Sequence, residues 1–173
     1  MQALDFWKTI TVDHANLLER LVELLSAHHI RYCVIGGQAV NAYAEPVVSL
    51  DLDLVIAVDQ VELVRTRLAG EFDVRQFTHG LNVSVAGSDL RVQIQTDPRY
   101  DDFVDRASER DVLGLTLPVA AVEDVLQGKV WAALDVERRA SKRQKDLADI
   151  ARILEAYPHL RTQVPAALLE RLL

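Results

Sequence analysis

The sequence predicts an α/β protein with a mixed sheet of about five strands, helices on its faces and a C-terminal helical portion. Short apolar or strictly alternating runs bounded by glycines and polar turns indicate the strands. Leucines and other apolar residues at helical spacing indicate amphipathic helices that pack on those strands. Three of the strands follow one another through short turns, which is typical of antiparallel pairs and makes the predicted sheet mixed.

The first half of the chain alternates between helices and strands. Its predicted elements are a leucine-rich helix over residues 15–29, a buried strand over Tyr32–Ile35, a helix over Gln38–Ala44, a strand over Ser49–Ile56 and a helix over Asp59–Gly70. The Gly36-Gly37 pair separates the first strand from the helix after it. This layout can cradle phosphate, because glycines allow close backbone approach and the N–H groups at a helix start point toward an anion.

The second half begins with short strands and becomes helical after Pro98. Its predicted elements are strands over Phe72–Phe77, Leu81–Val85 and Leu90–Gln95, a helix over Tyr100–Ala107, an extended piece around Val112–Val119, a helix over Val122–Leu134, a helix ended by Pro158 and a short helix over Val164–Leu173. We expect a core, residues 1–120, and a helical portion, residues 121–173, packed together as one compact unit.

Composition and charge limit the classes of protein to consider. The chain has 173 residues and is 50% hydrophobic, which is ample for a buried core. We find no signal-peptide pattern and no apolar run near the roughly 18 residues needed to span a bilayer. The single cysteine, Cys33, excludes an internal disulfide, so we expect a cytoplasmic protein with no membrane partner. A net charge of −7 argues against a general nucleic-acid coat, although a local basic patch is compatible with it.

Two acids on the second predicted strand form the clearest candidate metal site. Because side chains alternate along a strand, Asp51 and Asp53 share one face, while the leucines between and beside them share the other. Their Cα atoms should lie roughly 6.5–7 Å apart, close enough to hold one Mg²⁺ or a pair of ions. Without a bound cation the two carboxylates repel each other, so we expect a positively charged side chain nearby.

The spacing of the glycine pair and the two acids resembles a known family signature. Gly36-Gly37, thirteen intervening residues and Asp51-Leu52-Asp53-Leu54 resemble the motif of the nucleotidyltransferase superfamily, whose fold includes DNA polymerase β. The chain is similar in particular to small AbiEii-like and MNT-like prokaryotic members. Glu123-Asp124 with Lys129, and then Arg143-Gln144-Lys145-Asp146, resemble recurring motifs of the AbiEii-like branch.

This resemblance covers about residues 30–156 and implies the nucleotidyltransferase fold. It also implies Mg²⁺-dependent transfer of a nucleoside monophosphate from an NTP to a hydroxyl acceptor on a protein, a tRNA or a small molecule. A toxin–antitoxin setting with a cognate partner protein is implied as well. The resemblance assigns the triphosphate to Gly36, Gly37 and Gln38, the metal ions and catalysis to Asp51 and Asp53, phosphate contacts to Lys129 and Lys145, and support of the site to Asp146 and Asp149.

One position departs from the family pattern and motivates a second hypothesis. On the strand Leu90–Gln95, Gln93 lies where relatives carry a third metal-binding carboxylate, and it completes the predicted catalytic set. An amide oxygen can ligate a cation, but it adds no negative charge and cannot act as a base. The alternative to an active enzyme is therefore a catalytically degenerate, nucleotide-binding or antitoxin-like partner protein. A scaffold without any ligand is disfavoured by the paired acids.

A basic run near the C-terminal helix allows two interpretations. Its members are Arg138, Arg139, Lys142, Arg143 and Lys145. In an acidic protein, such a run is where a triphosphate or an RNA end would be held, because charge-assisted contacts to phosphate are strong. Alternatively, the run is a solvated helix face on which Lys142 pairs with Asp146 one turn later.

Overall fold

A central mixed sheet organises the fold. The computed structural model describes residues 5, 6, 8 and 12–172, and within these ranges the sheet has seven strands in the order β3-β4-β5-β2-β1-β7-β6. The strands are β1 (Tyr32–Ile35), β2 (Asp51–Ile56), β3 (Asp73–Phe77), β4 (Gly80–Ser84), β5 (Arg91–Gln95), β6 (Ser108–Val112) and β7 (Leu115–Val119). The predicted α/β class with a mixed sheet is confirmed.

The predicted number of about five strands is wrong, because the extended piece around Val112–Val119 belongs to a hairpin. β6 pairs antiparallel with β7 across a turn in which Leu113 and Gly114 have φ values of 58° and 85°. Tight hairpin turns of this kind usually carry Asn or Asp before the glycine, so a leucine there gives little sequence signal. β6 itself has exposed polar residues along most of its length, as an edge strand can, and it lacks a buried face that alternation would reveal.

Pairing around β2 places the two acids beside β5. β2 is antiparallel to β1 and parallel to β5, with Asp51 opposite Arg91 and Asp53 opposite Gln93. Leu52 and Leu54 are buried on the other face of β2. A slip of one residue would bury the acids and expose the leucines, so burial of one face specifies this register.

Helices cover the sheet and agree with most of the predicted segments. They are α1 (Leu17–Ala27), α2 (Gly36–Asn41), α3 (Val61–Ala69), α4 (Asp101–Asp105), α5 (Val122–Leu134), α6 (Ala140–Ala156) and α7 (Ala166–Leu169). α2 begins at Gly36, two residues before the predicted start, and α7 is shorter than the predicted Val164–Leu173, whose last residue lies outside the described ranges. No helix in the described part of the chain has the length and apolar character that a membrane crossing requires.

A continuous apolar core joins the sheet to the C-terminal helices. Leu52 and Leu54 of β2, Leu126 of α5 and Ile150 of α6 belong to the same buried cluster. Cys33 is also part of this core, and burial, reinforced by the negative charge of Asp124, raises the pKa of its thiol to about 12. The thiol is therefore protonated at neutral pH. The boundary at residue 120 stays a prediction.

Candidate functional site

Gly36 allows the acidic strand to approach the start of α2. Its φ of +68° lies in the left-handed region, which favours glycine. A Cβ atom at this position would lie 2.2 Å from Oδ2 of Asp53, so any side chain would collide with the carboxylate. At Gly37, by contrast, a Cβ atom would come no closer than 3.7 Å to the Ser49 hydroxyl. Gly36 is therefore the member of the pair whose missing side chain the site requires.

Asp51 has the positively charged neighbours that its sequence context predicts. Arg91 Nε lies 2.8 Å from Oδ1 of Asp51, and Lys142 Nζ lies 3.4 Å from Oδ2. We call these three residues the outer cluster. The pair between Lys142 and Asp146, which belongs to the interpretation of the basic run as a solvated helix face, does not form. α6 directs Lys142 toward β2, and other cations contact Asp146.

Asp53 differs from Asp51, because no cation contacts it among the described residues. Burial raises the pKa of the Asp53 carboxyl above its ordinary value, the positive charge of Lys129 opposes this shift, and repulsion by Asp51 adds to it. A carboxylate in this position would be stabilised by a bound cation. Gln93, its register partner on β5, is uncharged and supplies no compensation.

A second group of charges lies deeper in the protein, and we call it the inner cluster. Lys129 Nζ lies 3.1 Å from Asp146 Oδ1 and 2.7 Å from Asp149 Oδ2. Arg138 Nε approaches Asp146 to 2.7 Å, and an Arg152 guanidinium nitrogen approaches Asp149 to 2.8 Å. Lys129, Asp146 and Asp149 are only 7%, 1% and 2% exposed. These contacts fix the Lys129 ammonium group in one place beside Asp53.

The protonation of Lys129 follows from the same contacts. Burial alone would lower the pKa of its ammonium group, but the negative charges of Asp149 and Asp146 outweigh burial and raise that pKa above its ordinary value. Lys129 is therefore positively charged at neutral pH. Asp146, predicted to support the site, lies where it orients both Lys129 and Arg138.

A cavity of about 150 Å³ lies between Asp53 and the inner cluster. Polar lining groups include Asp53, Gln93, Lys129 and Arg138, and Tyr100 with Phe103 forms an aromatic wall. Arg138 and Tyr100 also line a second cleft toward Arg99 and Trp131, so the two spaces share a boundary. The arrangement offers carboxylates, cations and aromatic surface at one opening.

The other predicted residues lie near Ser49 rather than in this cavity. Gln38 is 2% exposed and its side-chain amide donates a hydrogen bond to the Ser49 carbonyl oxygen, at 3.1 Å. Lys145 Nζ lies 3.5 Å from the Ser49 hydroxyl oxygen. Gln38 therefore supports the segment that leads into β2, and Lys145 lies beside that segment.

Sequence reasoning did not assign Arg91 and Arg138 to the site. Arg91 could have been found from alternation, since it lies two residues before Gln93 and thus on the same face of β5. Arg138 was one of several arginines in the basic run, and only the path of the chain between α5 and α6 brings it to Asp146.

The donor atoms at β2 suit Mg²⁺. Within residues 5, 6, 8 and 12–172 no group of three or more His, Cys, Asp or Glu side chains converges as a metal site. Asp51 and Asp53 thus provide carboxylate oxygens without a third acid, and Gln93 offers an amide oxygen opposite Asp53. Mg²⁺ prefers hard oxygen ligands and is commonly bound by one or two carboxylates together with water and substrate phosphates. These residues fit that mode of binding.

Comparison with known structures shows the same fold. The antibiotic-resistance factor ANT(2'')-Ia in complex with adenylyl-2''-tobramycin aligns with a TM-score of 0.64 and 12% identity over 90% of this chain and 96% of that chain. The lincosamide antibiotic adenylyltransferase LnuA with bound lincomycin aligns with a TM-score of 0.54 and 14% identity over 83% of this chain and 99% of that chain. A putative nucleotidyltransferase of Thermotoga maritima, TM1012, has a TM-score of 0.51 and 12% identity over 68% of this chain and 83% of that chain.

These likenesses confirm the predicted nucleotidyltransferase fold, and at such identities they concern the fold alone. No curated protein sequence matches the chain. The family model described as "Nucleotidyl transferase AbiEii toxin, Type IV TA system" matches residues 16–173. This match covers nearly the whole chain, and with the glycine turn and the paired acids it leads to one conclusion: the protein belongs to the AbiEii nucleotidyl transferase family.

Proposed function

We propose that this protein transfers a nucleoside monophosphate from an NTP to a hydroxyl acceptor with the help of Mg²⁺. The observation that carries the proposal is the position of Asp51 and Asp53 on one face of β2, beside Gly36 and a cavity that Lys129 and Arg138 line. Such a reaction needs metal ligands, close approach of a triphosphate to backbone, and positive charge for the leaving pyrophosphate.

Each part of the site has a role in this proposal. Asp51 and Asp53 would hold the metal ions, and Gln93 would add a neutral oxygen. Bound Mg²⁺ would neutralise charge at the α-phosphate and lower the pKa of the attacking hydroxyl. The backbone at Gly36 and Gly37 would lie against the triphosphate.

The cations would act on the leaving group. The acceptor oxygen bonds to the α-phosphorus as the bond to the pyrophosphate oxygen breaks, and the hydroxyl proton passes to solvent. Lys129 and Arg138, both oriented by Asp146, would stabilise the charge that collects on pyrophosphate, with Lys145 as a further phosphate contact near Ser49. Gln38 would act indirectly, by holding the segment before Asp51.

The biological setting is part of the proposal. The family is described as the toxin of a type IV toxin–antitoxin system, which supports a cytoplasmic protein with a cognate partner protein. The acceptor would be a protein, a tRNA or a small molecule that carries a hydroxyl group. Transfer of label from each α-labelled NTP to fractionated protein, RNA and small molecules of a cell extract would identify the acceptor class.

Calorimetric titration of the four NTPs, with and without Mg²⁺, is the decisive experiment. We expect Mg²⁺-dependent binding of at least one NTP, and its loss in the Asp51→Asn/Asp53→Asn double variant. The matched control is Asp73→Asn, which removes an exposed carboxylate at the start of β3. Failure of the wild-type protein to bind any NTP at millimolar concentration would refute the proposal, as would equal losses in the double variant and the control.

A catalytically degenerate nucleotide-binding protein, acting as an antitoxin-like partner, is the second candidate. The observation that favours it is the register pairing of Gln93, an amide, with Asp53 where a third carboxylate would be expected. Under this alternative, wild-type protein binds an NTP without transferring it, and Gln93→Asp creates label transfer. Transfer by the wild-type protein at a rate equal to or above that of Gln93→Asp would eliminate this candidate.

A further inference from the structure

Cationic side chains contact both carboxylate oxygens of Asp51, a predicted metal ligand. Arg91 lies against Oδ1 and Lys142 against Oδ2, at 2.8 and 3.4 Å. A divalent ion that approaches Asp51 must compete with both of these positive charges. In this arrangement Asp51 is a weaker metal ligand than its position on β2 suggests.

Both cations are free to move away from Asp51. The side chains of Arg91 and Lys142 are 61% and 39% exposed, and neither has another bonded partner among the described residues. They come from separate elements, β5 and α6, and no buried contact ties one side chain to the other. Ion pairs in which the cation is exposed contribute little to stability, so the two cations can leave Asp51 at a small cost in free energy.

The charge balance of the site supports an exchange of partners. Among the described residues no cation contacts Asp53, and its register partner Gln93 is neutral. A metal ion that arrives alone therefore finds one carboxylate of β2 that no cation contacts, with a neutral amide opposite it. A metal ion that arrives with a triphosphate changes this balance, because the phosphates offer the displaced cations new negative partners. Arginine and lysine both make strong charge-assisted contacts to phosphate oxygens.

We propose that Arg91 and Lys142 exchange partners during substrate binding: they leave Asp51 when a divalent ion occupies it and then bind the phosphates that accompany the ion. The inference rests on the proposed nucleotidyl transfer and makes Arg91 and Lys142 phosphate-binding residues of that reaction. Its consequence is cooperativity. A divalent ion alone binds weakly, whereas the ion and the triphosphate each strengthen the binding of the other.

The test compares two ligands in the full-length protein and its Arg91→Gln and Lys142→Met variants. Binding of Mn²⁺ alone is measured by water-proton relaxation. Binding of Mg²⁺–tripolyphosphate, a probe without a nucleotide base, is measured by calorimetry. We expect each variant to bind Mn²⁺ about three- to tenfold more tightly than the wild type, because a repelling charge is gone. We expect each variant to bind Mg²⁺–tripolyphosphate about tenfold more weakly, because a phosphate contact is gone.

Controls separate this exchange from a general effect of charge. Arg75→Gln removes an exposed arginine from edge strand β3 and should change neither affinity. In an Asp51→Asn background, Arg91→Gln should no longer tighten Mn²⁺ binding, since the competition is for the Asp51 carboxylate. Thermal unfolding of every variant establishes that each one is folded.

The outcomes distinguish the exchange from the proposed function. Opposite changes in the two affinities support the exchange. Two results would refute the exchange without refuting nucleotide transfer, provided that the wild type binds Mg²⁺–tripolyphosphate. In the first, Arg91→Gln and Lys142→Met have the same two affinities as Arg75→Gln. In the second, their affinities for Mn²⁺ and for Mg²⁺–tripolyphosphate both fall. If the wild type binds neither tripolyphosphate nor any NTP, the proposed function fails and the exchange fails with it.

Discussion

The inner and outer clusters of charge lie on either side of Asp53 and differ in burial. In the inner cluster, Lys129, Asp146 and Asp149 are almost completely buried, and each carboxylate accepts contacts from two cations. In the outer cluster, Asp51 is largely covered but both of its cationic partners reach into solvent. The same residue types thus form one cluster inside the protein and another at its surface.

The difference teaches what each cluster can do. Removing one partner of a buried ion pair leaves a charge without water or a counter-ion and costs about 3–5 kcal/mol, whereas an exposed pair contributes about 0–1 kcal/mol. The inner cluster therefore holds Lys129 in a fixed position. The outer cluster can open and reform as ligands arrive, which is what exchange of partners requires.

The largest effect should come from Lys129→Met, which removes a buried cation from the inner cluster. We expect a loss of about 3 kcal/mol in the free energy of unfolding, because Asp146 and Asp149 each lose a cationic partner. Among the described residues, Arg138 and Arg152 are the cations that remain with them. Urea unfolding measures this loss.

Lys145→Met is the matched control for that loss. The Lys145 side chain is half-buried and lies 3.5 Å from the Ser49 hydroxyl oxygen. Its removal should cost less than about 1 kcal/mol. Equal losses in the two variants would show that burial does not distinguish the inner cluster.

The next effect concerns Asp53, which lies between the clusters and against Gly36. Gly36→Ala should lower the free energy of unfolding by about 2 kcal/mol and weaken Mg²⁺-dependent nucleotide binding. Alanine is strained at this positive φ, and its methyl group collides with the Asp53 carboxylate. Gly37→Ala provides the comparison, since its new methyl group has room and alanine favours a helix. Thermal unfolding should show Gly37→Ala at or above wild-type stability, and destabilisation of both variants alike would contradict this geometry.

A smaller effect is expected at Asp97, which forms an ion pair with Arg99, a residue that lines the cleft toward Trp131. Side-chain hydrogen bonds from Arg99 hold the pKa of Asp97 below its ordinary value of 3.8. Burial opposes this shift, and a hydrogen bond from the Arg99 backbone N–H adds to it. A lowered pKa in the folded state stabilises the fold above the unfolded-state pKa, and this stabilisation is lost as pH falls through the folded-state pKa.

Asp97→Asn should therefore destabilise the protein by about 1 kcal/mol at pH 7, a value reduced for the exposure of Arg99. The difference from the wild type should shrink as the pH falls below 3.8. Thermal unfolding at a series of pH values measures it. A difference that is the same at pH 7 and at pH 3 would rule out the ionised carboxylate as its source.

The smallest effect on stability is expected for Arg91→Gln in the outer cluster. We expect the free energy of unfolding to change by no more than about 0.5 kcal/mol, since the arginine is exposed and Lys142 still contacts Asp51 after the replacement. Urea unfolding at neutral pH is the measurement. A loss as large as that of Lys129→Met would mean that the outer cluster is a structural support and would contradict the contrast between the clusters.

The sequence by itself determined which side chains share a face. Strict alternation along β2 places Asp51 and Asp53 together, because successive side chains of a strand point to opposite sides whatever the strand pairs with. The same rule places Gln93 on the matching face of β5. The glycine pair followed by the acids indicated the nucleotidyltransferase superfamily, and the motifs around Lys129 and Asp146 indicated the AbiEii-like branch, which the family match confirms. These are local patterns, so they can be read from neighbouring residues.

Only the tertiary structure decided which cation meets which acid and how the sheet is completed. Lys142 contacts Asp51 from 91 positions away in the chain, and Arg138 contacts Asp146 from the segment between α5 and α6. β6 adds to the sheet through a turn that has a leucine, rather than Asn or Asp, before its glycine. The physical reason is that ion pairing and burial depend on distances in space. These distances arise only when α5 and α6 pack against each other and against α2, which lies on β2.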